Sequence, residues 1–227
     1  MRRLGGMGEI GLRERKKQRM YQAVSDIAIG LFLEKGFDAV SVAEVAAAAE
    51  ISKPTLFRYF PTKEDLVLHR FADHEDEPAR VAARGPSPLT ALRRHFLDGL
   101  ERRDPVTGLN DVPQVLAYHR LLYGTPSLAA GMFRYLERSE AALAGALGGD
   151  LGARLAAGQI IAVQRVLALE NWRRIADGEA VEQVRPDAVA AAEEAFAQLE
   201  AGLPRYAQLH GDERPDKERY RVRNVTR

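Results

Sequence analysis

Residues 41–65, SVAEVAAAAEISKPTLFRYFPTKED, constrain the fold more than any other part of the chain. They contain three helix starts in close succession. Ser41 is followed three residues later by Glu44, the reciprocal pair of a capping box, and Val40 and Val45 can close a hydrophobic staple around it. This predicts a short helix over residues 42–49. Ser52 can cap a second helix, with Ile51 stapled to Leu56. Pro54 then falls in the first turn, where the N–H it lacks would have no intrahelical acceptor. Thr62 caps a third start, with Asp65 three residues on. Two short helices joined by a tight turn make a helix-turn-helix.

The second of these helices has two distinct faces. Leu56 and Phe60 are four residues apart, so they share a face and dock inward. Lys53, Thr55, Arg58 and Tyr59 are left pointing outward. A helix this short is not stable alone in water, so its polar face is displayed on a packed support. Cation, hydroxyl, cation and phenol suit base edges and phosphates. A helical hairpin with a solvated polar face has the same pattern, and spacing alone does not separate the two.

The segment LFLEKGFDAVSVAEVAAAAEISKPTLFRYFPTKEDL resembles the N-terminal domain of TetR-family transcriptional repressors, without a gap over about residues 19–68. The resemblance implies that residues 52–59, beginning at Ser52, form the recognition helix. It also implies that Ser41, Tyr59 and Lys63 contact phosphates, while Lys53, Pro54, Thr55 and Arg58 meet the major groove. Two positions depart from the family pattern. Glu50 stands where a glycine is usual in the turn, which predicts a strained or reshaped turn. Phe57 replaces a usual tyrosine and so removes one hydroxyl-to-phosphate contact.

At 227 residues the chain can form one large or two small domains around a well-buried core. The formal charge is only +1 and by itself says nothing about a nucleic-acid partner. Its distribution says more. Residues 1–70 carry 12 Lys+Arg against 9 Asp+Glu, residues 71–209 carry 15 against 19, and the tail from His210 carries 6 against 4, so both ends are basic and the middle is acidic, which fits DNA binding at one end. The absence of cysteine excludes disulfides, thiol nucleophiles and cysteine-ligated zinc. No apolar run approaches the roughly 18–20 residues of a membrane span, and the first residues lack the apolar core of a signal peptide. A soluble, cytoplasmic protein with no membrane partner is expected.

Gly5, Gly6, Gly8 and Gly11 do not form a phosphate loop, because such a loop needs a preceding strand. Residues 1–12 read as a flexible arm. Arg13, Arg15, Lys16, Lys17 and Arg19 either lie along the DNA backbone or minor groove or simply solvate a helix start. A long helix is predicted over residues 13–35. Its apolar stripe is Ala23, Ile27 and Leu31 beside Val24, Ala28 and Phe32, and Gly36 is its left-handed cap. The expected head is thus residues 13–62, followed by a helical body over 63–209 and a disordered tail over 210–227.

Strand signals nearly vanish after Thr62, so the whole chain reads as all-α. A linking helix is expected to run from Leu66 through Phe71 until Pro78 bends or ends it. Within it His69, Asp73 and Glu77 recur at steps of four, a spacing read as a solvated acidic face rather than a metal site. Further helices are expected over residues 88–103, 114–123, 126–147, 153–177 and 186–203, the last one opened by Pro186. The final two are apolar over more surface than one core contact requires, which predicts a helix hairpin buried against its copy in a four-helix bundle. The family resemblance implies the same dimer.

Phe96, Tyr118, His119, Tyr123, Met132, Phe133, Asn171 and Trp172 supply the aromatic and polar mixture of a largely apolar ligand pocket, although each also suits an ordinary core. Residues 121–148 are similar to the C-terminal domains of mycofactocin-type TetR regulators, a resemblance that implies a lipophilic, acyl-CoA-like effector. No cofactor, catalytic residue or resident metal is expected. The chain therefore reads as a homodimeric repressor of a near-palindromic double-stranded DNA operator, released by a small lipophilic ligand. A DNA-binding architectural protein without a ligand is the alternative. A hydrolytic enzyme is the remote one, since no motif arranges the histidines and carboxylates.

Overall fold

The computed structural model describes residues 6–85 and 87–207. Among these residues there are helices and no strands. Three helices build the head: α1 (Gly6–Lys35), α2 (Val42–Ala48) and α3 (Lys53–Tyr59). The body follows with α4 (Asp65–Leu68), α5 (Glu77–Ala82), α6 (Pro88–Glu101), α7 (Pro113–Gly124), α8 (Pro126–Ala146), α9 (Leu151–Ala176), α10 (Val181–Gly202) and α11 (Pro204–Ala207). Two 3-10 turns, His69–His74 and Pro105–Thr107, interrupt them.

The predicted local signals operate as read. The Ser41 hydroxyl accepts from the Glu44 amide at 3.1 Å, and the Ser52 hydroxyl accepts from the Thr55 amide at 3.2 Å. Thr62 and Asp65 exchange reciprocal bonds of 2.9 and 3.2 Å. Val40, Val45 and Leu56 are fully buried, as the staples require. Gly36 takes φ +88° and donates to the Phe32 carbonyl at 2.9 Å, closing α1.

Four boundaries differ from expectation. α1 begins at Gly6, so residues 6–12 of the expected arm are helical. Extension of an already nucleated helix needs no new nucleus, and α1 runs through Gly8 and Gly11 in spite of their low helix propensity. Residues 1–5 of that arm and the expected tail lie outside the described residues. The linking helix is short: α4 ends at Leu68, tightens into the 3-10 turn, and Pro78 sits in the first turn of α5 instead of ending a helix. Contacts back to α1 hold this turn, with His69 stacked on Tyr21 at 4.6 Å and Arg70 bonded to Asp26 at 2.6 Å. Finally, Pro186 lies inside α10, which starts at Val181. Burial of Val181 and Val184 carries the helix past the missing N–H, so tertiary packing overrides the local stop signal.

Two apolar clusters organise the packing. The body core joins Leu92 and Phe96 of α6, Leu143 of α8, Ile160 of α9 and Phe196 of α10. The head core joins Phe32, Val45, Leu56 and Phe60, then continues through Leu66 and Val67 to Tyr118 and Leu122 of α7 and Leu128 of α8. Packing of the head therefore does not stop at residue 62. A helix as short as α4 leaves carbonyls without intrahelical partners. Ser25 of α1 donates its hydroxyl to the Leu66 carbonyl at 2.7 Å, and Tyr118 of α7 donates to the Val67 carbonyl at 2.9 Å.

Candidate nucleic-acid interface and ligand cavity

On α3, Leu56 is buried while Lys53, Pro54, Phe57 and Arg58 are exposed, so the helix is docked by one face and open on the other. Ser52 is exposed at its cap and shares a 2.7 Å bond with the Thr55 hydroxyl, which holds both hydroxyls at the helix start. The Arg58 guanidinium lies 5.3 Å from the centre of the Tyr59 ring, and Tyr59 packs edge-on against Tyr21 at 5.1 Å. These contacts limit the rotamers of Arg58 without masking its donors. Ser41, at the start of α2, is exposed as well.

Lys63 is placed differently from the other cations. Its ammonium donates to the Phe37 carbonyl at 2.5 Å and lies 4.4 Å from the Phe37 ring centre. It pins the loop after α1 to the start of α4, leaving two of its three donors for a phosphate. Sequence reasoning missed this structural duty because the two positions are 26 residues apart.

The turn between α2 and α3 bears out the expectation of strain. Glu50 adopts φ +54° in the left-handed region, where a Cβ costs roughly 1–2 kcal/mol. Glycine removes that cost but loses more freedom on folding. Replacing Glu50 with glycine is therefore expected to stabilise the chain by about 0.5–1 kcal/mol net. A thermal melt should rise by about 1–4 °C; an unchanged or lower melting point would show that the turn is not strained.

In the body, a cavity of about 150 Å³ opens among α5, α6, α7, α8 and α9. Of the eight residues expected to form a pocket, Phe96, His119, Tyr123, Met132 and Trp172 line it. Tyr118, Phe133 and Asn171 do not. Tyr118 faces the head core, one residue and about 100° of helix away from His119. Phe133 is 59% exposed on the outside of α8. Asn171 is buried behind the wall, where its amide donates to the Thr107 carbonyl at 2.9 Å and fixes the 3-10 turn that forms one side.

The cavity is lined by apolar and aromatic side chains, Phe96, Tyr123 and Trp172 among them, together with polar ones such as Glu77, Gln164 and Arg165. Trp172 packs on Tyr123 at 4.8 Å and meets His119 edge-on at 6.3 Å. His119 Nδ1 and Trp172 Nε1 are both buried and have no hydrogen-bond partner among the described residues. Burial pushes the His119 pKa down to about 4, so its imidazole is neutral at neutral pH. A second polar cluster was not foreseen. Glu77 bonds His74 Nδ1 at 2.7 Å and lies 3.3 Å from His95 Nε2. Those two histidine bonds hold its carboxyl far below the usual carboxylate range. Glu77 is thus part of the cavity wall, not of a solvated acidic face. The pairing with His95 joins separate helices, and no local spacing could announce it.

Among the described residues, no group of histidines and carboxylates is arranged to hold a metal ion, and no helix is long and apolar enough to cross a membrane.

Comparison with known proteins agrees with this architecture. Residues 26–69 match the family model described as bacterial regulatory proteins, tetR family. The transcriptional regulator TcmR of Streptomyces glaucescens is 34% identical over 134 residues, covering 57% of this chain and 58% of that protein. The protein MftR of Mycobacterium tuberculosis, named for regulation of mycofactocin biosynthesis, is 28% identical over 120 residues, covering 48% of this chain and 61% of that one. This chain thus spans about three fifths of the length of these two curated relatives. The regulator FadR from Bacillus subtilis, solved in complex with stearoyl-CoA, shares the fold with a TM-score of 0.50 at 17% identity, over 80% of this chain and 98% of that one. Over its helix-turn-helix, residues 26–69, this chain is thus similar to the tetR family of bacterial regulatory proteins.

Proposed function

We propose that the protein is a homodimeric transcriptional repressor that binds a near-palindromic operator and is released by a small lipophilic ligand in its body. The observation that carries the reading is the docked α3, whose Lys53, Pro54 and Arg58 stand exposed on a rigid helix-turn-helix. Relatives named as transcriptional regulators stand beside it. The dimer reading rests on α9, where Leu151, Leu155 and Val166 are 69%, 59% and 54% exposed. Together with exposed alanines of α10 such as Ala190 and Ala197, they supply an apolar face for an isologous contact.

Release of DNA requires that the ligand favour one arrangement of the heads over another, since equal affinity for both shifts nothing. Helix α7 offers a physical route. Tyr118 bonds the Val67 carbonyl on the head side, and its neighbour His119 lines the cavity. A ligand that rotates or displaces α7 acts on both.

Selection of duplexes from a random pool, followed by sedimentation of free and bound protein, tests the reading. The expected results are a site with two related half-sites and a free species of about twice the 25.1 kDa chain mass. A clean monomer at micromolar concentration, or no enriched sequence, would overturn it.

A further inference from the structure

We propose that the cleft between head and body binds a small polyphosphate anion, held by Arg19 of α1 on one side and by Arg134 and Arg138 of α8 on the other. The site is separate from the body cavity and does not depend on the reading of that cavity as the effector site. Three observations carry it.

The first is shape. The cleft has a volume of about 720 Å³, inside the roughly 300–1,000 Å³ of small-molecule sites. Its walls come from both halves of the chain, with α1 and the turn after α3 on the head side and α8 on the body side. Gly131 lets the halves approach, because a Cβ there would collide with the Leu68 side chain of α4. Arg134 Nη2 lies 3.6 Å from the same point, which sets its guanidinium at the junction.

The second is the state of the cations. Arg138 is bonded to Glu75 at 2.8 Å, so that pair is neutral as a unit. Arg19 and Arg134 are both exposed, and neither is paired with a carboxylate among the described residues. A guanidinium stays charged at any working pH, and its planar fork matches two oxygens of one phosphate. Gln18, exposed beside Arg19, adds a neutral amide donor. Two such forks on opposite walls call for an anion with charge at more than one point along its length.

The third is the balance of charge. Among the described residues, Asp65 is the one carboxylate in the wall, and it already accepts from the Thr62 amide at 2.9 Å. With Arg138 set against Glu75, and Asp65 against one of the other two guanidiniums, a positive charge is left over. His69, also in the wall, can only add to it. An anion that spans the cleft removes this excess and ties α1 of the head to α8 of the body.

Isothermal titration of the full-length protein, free of DNA, with inorganic tripolyphosphate, orthophosphate and citrate tests this at an ionic strength of about 0.15 M. The expected result is one tripolyphosphate per chain, bound at least about tenfold tighter than orthophosphate. At a hundredfold excess over its Kd, tripolyphosphate should raise the melting point by about 5–10 °C. Arg19→Gln and Arg134→Gln should each weaken it by about three- to tenfold, the order of one charge-assisted contact open to solvent. Their melting points without anion should match the native one. Arg58→Ala, on the outer face of α3, should leave the titration unchanged. Loss of binding in Arg58→Ala but not in Arg134→Gln would put the anion on α3 and overturn the proposal. Equal affinity for orthophosphate and tripolyphosphate, or tighter binding of citrate, would also overturn it. If Arg134→Gln weakens operator binding while the native protein takes up no tripolyphosphate, the cleft serves the DNA backbone and the proposal falls. If tripolyphosphate binds as expected but no duplex is selected, the site stands and the repressor reading falls.

Discussion

Arg58→Ala lowers affinity for the selected operator by about 1–3 kcal/mol, roughly 5- to 150-fold, and relaxes preference at one base position in each half-site. The size follows from the commonest specific major-groove contact, an arginine bidentate to guanine. Arg58 suits that task because it is exposed on α3, oriented only by the face of Tyr59, and no carboxylate among the described residues is bonded to it. Its removal should leave the melting temperature nearly unchanged, since surface substitutions of this kind stay within about 0.5 kcal/mol. Titrations with the operator and with a duplex altered at single positions decide the matter. Equal weakening on both duplexes would assign Arg58 to the backbone. Lys63 makes an instructive contrast: because its ammonium also ties down the Phe37 carbonyl, loss of DNA affinity there is entangled with loss of stability.

Gly108→Ala is the substitution expected to damage the fold most. A Cβ at this position would lie 1.9 Å from the Ala168 carbonyl oxygen and 3.0 Å from the Trp172 amide nitrogen, both backbone atoms of α9. Backbone cannot rotate away as a side chain can, so α9 or the 3-10 turn must move. The φ of +74° adds the penalty of a left-handed non-glycine residue. Overpacking of about 1–3 kcal/mol and backbone strain of about 1–2 kcal/mol sum to roughly 2–5 kcal/mol. For a chain of this size, that corresponds to a melting point lower by about 5–20 °C. Gly124→Ala is the control, with nothing near its Cβ and an expected effect close to zero. Equal melting points for the two variants would mean that the close approach of turn and helix is not a constraint.

The parts of this fold that could be read in advance are those fixed within a few residues. Ser41 with Glu44, Ser52 with Thr55, and Thr62 with Asp65 are local exchanges of hydrogen bonds, so the sequence order states them directly. The strain at Glu50 was legible only through the family resemblance, which places a glycine at that position of the turn, and the positive φ agrees with it. The extension of α10 past Pro186 was not, because burial of Val181 and Val184 decides it. The cavity was legible in part. Composition pointed to the right helices, but only packing separates Met132, inside, from Phe133, outside, or His119 from Tyr118. The approach of His95 to Glu77 depends on how α5 meets α6 and has no signature in the spacing.

The continuous core beneath the head bears on how a protein of this kind can acquire a new target sequence. Leu66 and Val67 pack with Tyr118, Leu122 and Leu128, and their carbonyls are held by Ser25 and Tyr118. A head exchanged for a foreign one would have to bring a matching seam, or lose both the packing and those bonds. The outer face of α3 has no such obligation to the body: Lys53, Pro54 and Arg58 can each be replaced without disturbing a buried contact. New specificity is therefore more accessible by single substitutions on that one helix than by recombination of whole domains.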